Sequence, residues 1–148
     1  MLASIKLLRE ISRRCLNGEP LDQEHSRWLG ASLTDFLHHR CPSLEEALGL
    51  RFPRGGVPWW REEAIRKRDA ALRALSECFL RDLAPAAQAR RIYELSVRYA
   101  ASAWLRDRDE SDMPPNYAGR IHEFLWRAFA AGAAMPIGER QLRHILGR

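Results

Sequence analysis

The residues able to do chemistry are few and scattered. The five histidines are His25, His38, His39, His122 and His144, and the cysteines are Cys15, Cys41 and Cys78. His38-x-x-Cys41 has the spacing of half a zinc site but lacks the second ligand pair that tetrahedral coordination requires. His39 follows Asp35 by four residues, the spacing of an ordinary helical side-chain pair. Gly55-Gly56 is followed by Val57-Pro58, not by the Lys-Ser or Lys-Thr of a phosphate loop, and no Gly-x-Ser-x-Gly elbow occurs. The expectation is therefore a non-enzymatic protein, with no catalytic residue, metal, cofactor or small-molecule substrate assigned.

Two features remain that point to binding. The doublet Trp59-Trp60 follows the loop that begins at Phe52, and tryptophan is strongly enriched at the energetic centres of interfaces. Adjacent helical positions diverge by about 100°. Trp60 is thus expected to border the core while Trp59 projects outward. Phe52, Trp59 and Trp60 are the candidate partner-binding residues of an interaction or self-associating adaptor module. The partner is a second protein or another copy of the chain.

The second feature is positive charge. The net charge is +5, with 13 basic and 7 acidic groups in residues 51–108, against 6 and 7 before and 5 and 5 after. Within that centre Arg90, Arg91, Arg98 and Arg108 fall on one helical face with only Glu94 to oppose them. A row of guanidinium groups can contact successive phosphates and release counterions. Sequence-nonspecific nucleic-acid or other polyanion binding is the alternative function. Arg supplies 22 of 24 basic residues, but Ala, Arg, Gly and Pro together make 59 of 148, as GC-rich coding in a bacterial cell or mobile element would produce. The arginine excess alone therefore says little about phosphate.

The elements that position these residues are helical. Ala and Leu number 20 each, whereas Ile, Val and Thr number 7, 2 and 1. The fold class is all-α, a single domain of about seven helices. Pro58 and Pro85 each suit a first helical turn, predicting a long antiparallel hairpin of about 59–83 and 86–108. A near-neutral helical part over 1–49 precedes it and a helical pair over 117–148 follows. Asp22 is expected to cap one N-terminal helix and Ser43-Leu44-Glu45-Glu46 to start another as a capping box. Residues 128–146 have some helix-turn-helix character, but the turn is too long and a plain helical pair is expected.

The stripes predict a core of Ile11, Leu29, Leu33, Phe36, Ile65, Leu72, Leu75, Phe79, Ile92, Tyr99, Trp104, Ile121, Leu125 and Phe129. Arg61, Arg68 and Asp107 fall on the same packing faces. Counted outward from the turn, a straight hairpin sets Arg61 level with Asp107, predicting an ion pair, and brings Arg68 within reach of the Tyr99 ring. The longest run without a charge or histidine, 128–138, contains Gly132 and Pro136 and is too short to cross a bilayer. Lys6 and Arg9 interrupt the first apolar stretch, as a secretory leader would not. Three widely spaced cysteines fit reduced thiols. A cytoplasmic location is expected.

Overall fold

A computed structural model describes residues 2–51 and 55–147. The chain is all-α there: α1 Leu2–Leu16, α2 Gln23–Leu37, α3 Leu44–Ala47, α4 Trp59–Phe79, α5 Pro85–Ala100, α6 Trp104–Asp107, α7 Ile121–Ala130 and α8 Glu139–Leu146, with a 3-10 turn at Pro115–Tyr117 before α7. Contacts divide it into two compact units, Met1–Trp59 and Trp60–Arg148.

In the first unit the predicted caps form. Asp22 accepts from the His25 backbone N–H at 2.9 Å and Ser43 from that of Glu46 at 3.1 Å, each satisfying a first-turn amide. Glu46 does not reach back to complete the box; its carboxylate takes Arg51 at 2.6 Å. Helices α1, α2 and α3 end on residues in the left-handed region, Gly18, His39 and Gly49. His39 (φ 55°) is the exception in residue type, since a side chain there costs about 1 kcal/mol that glycine avoids. This turn also overturns the expected Asp35–His39 pair. The chain reverses at His39, and the side chain that meets Asp35 is Arg40, at 3.1 Å. At Gly49 a Cβ would stand 3.0 Å from the Ser4 hydroxyl, so both the backbone angle and the approach of α1 require glycine. Ile5, Ile11 and Leu50 are buried here, but Leu33 and Phe36, expected in the core, stay 40% and 38% exposed.

The second unit holds the main core. Leu72 and Leu75 of α4, Ile92 of α5, Leu125 and Ala128 of α7, and Leu142 of α8 are all essentially inaccessible to solvent. Helices α5 and α8 pack against each other along an extended contact. The small residues Ala89 and Ser96 on the buried face of α5 permit that approach. Phe79, expected in this core, is instead 40% exposed and meets Phe124 edge to face, with ring centroids 5.7 Å apart.

Both long helices are shorter than predicted. Helix α4 stops at Phe79 because residues 80–84 form a turn whose carbonyls are taken by Gln88: its amide donates to Leu80 O and Leu83 O, both at 3.0 Å, and its oxygen accepts from Ser76 at 2.9 Å. Helix α5 stops at Ala100. The Ser102 hydroxyl donates to Arg98 O at 2.7 Å, and the chain restarts as α6.

Candidate functional site

The two predicted binding groups fare differently. Phe52 lies outside the described residues. Trp59 is half-buried and Trp60 is 53% exposed, the reverse of the predicted orientation. Trp59 lines an open hollow with Leu8, Ser12 and Leu16 of α1, and its half-burial differs from the outward projection expected of it.

Trp60 stands at the rim of a cleft of the second unit, about 760 Å³. The cleft lies between the first turns of α4 and the 131–138 segment leading into α8. Ala64, Ile65 and Met135 line it, with Trp60 and Arg61 on the α4 side and Ile137 and Gln141 opposite. Ile137 is 89% exposed. Isolated exposed apolar side chains are ordinary, but a tryptophan and an isoleucine flanking one concavity form a contiguous apolar surface of the kind partners use. Its volume falls in the range of about 300 to 1,000 Å³ typical of ligand sites.

Arg68 closes the inner end of this cleft. It is buried, its guanidinium holds Asp69 through Nε at 2.8 Å and Nη2 at 2.6 Å, and Nη1 donates to Ala134 O. The expected stacking on Tyr99 does not occur, because the neighbouring carboxylate and the 131–138 backbone satisfy the fork first. Arg68 thus pins the segment that carries Ile137. No acidic residue lines the cleft, and Arg61 forms no ion pair among the described residues. Sequence reasoning missed Ile137 and Gln141; the only signal was an apolar residue after Pro136 in a polar turn.

The predicted Arg61–Asp107 pair is also replaced. Asp107 is buried, and one carboxylate oxygen accepts from Tyr99 at 2.8 Å and from Tyr117 at 2.7 Å. An uninterrupted helix would set Tyr99 and Asp107 about 12 Å apart along its axis. The break at 101–103 brings them together and removes the register that placed Arg61 level with Asp107. Burial, then the Asp107 carboxylate, pushes both tyrosine hydroxyls above their ordinary titration range. The two phenols satisfy one buried carboxylate and so tie α5, α6 and the 3-10 turn together.

The helix expected to carry the arginine row is interrupted at the same break. Arg90, Arg91 and Arg98 are exposed on α5, but Arg108 lies beyond α6, with its Nε 3.8 Å from Asp109. Arg90 and Arg91 both reach Glu94, at 3.3 and 3.5 Å. Arg98 forms no ion pair among the described residues.

No protein-family model, no curated protein and no solved structure matches the chain. Among the described residues, no group of three His, Cys, Asp or Glu side chains is placed to hold a metal ion, and no helix is long and apolar enough to cross a membrane.

Proposed function

We propose that the chain is a non-enzymatic protein-interaction module, acting in the cytoplasm, whose contact is the cleft beside Trp60. The carrying observation is the exposed Trp60–Ile137 pair astride a cleft lined by no acid. Its occupant is an apolar side chain of a partner protein with a carboxylate beside it, the charge that Arg61 lacks. Peptides selected from a displayed random library against the full chain are expected to share an apolar residue flanked by Asp or Glu. Trp60→Ala should weaken them about 30-fold, corresponding to the roughly 2 kcal/mol of an interface anchor. Ligands that bind the Trp60→Ala, Ile137→Ser double variant as well as wild type would overturn the reading. A concentration-dependent dimer lost in the same variant would make the partner a second copy.

The polyanion reading keeps one supporting observation, the uncommitted Arg98 on a face where three arginines oppose one glutamate. With Arg108 beyond the end of α5, three phosphate contacts from α5 are expected on duplex DNA, giving a slope of log affinity against log salt of about −2.7. A slope near −3.6, the value for four contacts, would restore Arg108 to the row.

A further inference from the structure

A second, smaller hollow of about 200 Å³ lies between the C-terminal end of α5 and the first turn of α7, lined by Leu95, Arg98, Tyr99, Ser102, His122 and Leu125. We propose that it is a site for a single phosphate monoester or free phosphate, bound between Arg98 and His122.

Four observations carry this. The two groups that can bear positive charge come from different helices and line one cavity, with no carboxylate among the lining residues. The His122 ring is held by two tyrosine rings, Tyr117 with centroids 5.1 Å apart and Tyr99 with centroids 6.0 Å apart in an edge-to-face arrangement. His122 is exposed, and these two ring contacts restrict the imidazole before any ligand arrives. The Tyr99 and Ser102 hydroxyls are committed elsewhere, to Asp107 and to Arg98 O. Among the lining residues, the side chains whose donors these bonds leave uncommitted are Arg98 and His122. Finally, at about 200 Å³ the hollow lies below the range of about 300 to 1,000 Å³ for drug-sized ligands but suffices for one tetrahedral anion.

A guanidinium fork matches two oxygens of a phosphate, and a tetrahedral anion still presents another oxygen toward the second helix. A carboxylate has no oxygen to spare once the fork is filled. The leucines give the hollow an apolar floor, while Arg98 and His122 are exposed, so both contacts should weaken as salt is raised. Two features oppose an anion, the partial negative charge at the C-terminal end of α5 and Asp107 behind the Tyr99 ring. Arg98 must offset both, so binding should depend on it steeply. The site is independent of the Trp60 cleft, and it differs from a diffuse arginine row in needing only one of the four arginines.

The test is titration of the full chain with inorganic phosphate, phenyl phosphate and acetate, followed by the His122 imidazole resonances. Both phosphates should give saturable one-to-one shifts, and acetate at the same concentrations should not. A tighter midpoint for phenyl phosphate identifies a monoester as the ligand; equal midpoints identify free phosphate. Arg98→Lys retains the charge that complements the end of α5 but loses the fork. It should weaken binding at least tenfold with helix content and unfolding midpoint unchanged, as should His122→Gln. Arg90→Gln and Arg91→Gln should leave it within twofold. The proposal is overturned if the shifts do not saturate, if acetate matches phosphate, or if Arg98→Lys and His122→Gln bind as wild type. A loss equal in all four variants would return the effect to the diffuse row.

Discussion

Replacing Leu72 by Ala is expected to lower the unfolding free energy by about 2 to 5 kcal/mol, a large part of the 5 to 15 kcal/mol of an ordinary domain. Leu72 is fully buried in the middle of α4, within the cluster shared by α5, α7 and α8. Truncation removes apolar burial and leaves a cavity that four helices must collapse to fill. Ile92→Ala, on the facing side of the same cluster, should cost a similar amount. Because both residues belong to one packed cluster, the double variant is not expected to add simply. Leu33→Ala provides the contrast within the chain. That side chain is 40% exposed, so its loss should cost about half as much or less. Chemical denaturation checks all three; a change under about 0.5 kcal/mol for Leu72→Ala would mean that the stripe is not the core face.

The contrast between Leu72 and Leu33 shows what periodicity encodes. In α4 and α5 the apolar positions recur at helical spacing and the buried face is read correctly at Leu72, Leu75, Ile92 and Tyr99. In α2 a stripe is just as visible, yet Leu33 and Phe36 stay half-exposed. A stripe says which face is apolar, but not how much of another element covers it. Helix ends marked by Gly18 and Gly49 were legible because φ above zero selects glycine. The end at His39 was not, because the residue there is one that glycine would outcompete. Neither was the end of α5. Residues 100–103 read Ala-Ala-Ser-Ala, all compatible with helix, and the break goes with contacts that periodicity does not encode, Ser102 donating to Arg98 O and Tyr99 and Tyr117 both donating to Asp107. The site suffered from the same ignorance. The Trp doublet was visible, but which indole faces solvent depends on what packs over α1. Ile137 became notable only once Arg68 fixed the 131–138 segment beside it.

Asp107→Ala is expected to cost about 3 kcal/mol or more, although it removes only a short side chain. The cost is not cavity volume but stranded donors. Tyr99 and Tyr117 both donate to one oxygen of Asp107, both are buried, and each unsatisfied hydroxyl costs about 1 to 3 kcal/mol. Asp107→Asn keeps an acceptor of the same shape but loses the charge that strengthens both bonds, so a smaller loss is expected. Tyr117→Phe removes one donor and leaves the carboxylate with the other; it should cost about 1 to 2 kcal/mol.

The same cluster predicts an alkaline signature. Both hydroxyls hold their protons more tightly in the folded chain than a free tyrosine does, through burial first and the Asp107 carboxylate second. Unfolded tyrosine ionises near pH 10. The stabilisation is therefore complete below that pH and is lost as the pH rises above it toward the folded values, since the folded state then binds more protons than the unfolded one. Unfolding midpoints measured from about pH 9 to about pH 11 should fall more steeply for the wild type than for the Tyr99→Phe, Tyr117→Phe double variant. The tyrosinate absorbance of these two residues should appear together with loss of helix. If it rises while the helix signal is intact, the phenols are reached by solvent in the folded chain and the buried cluster around Asp107 is wrong.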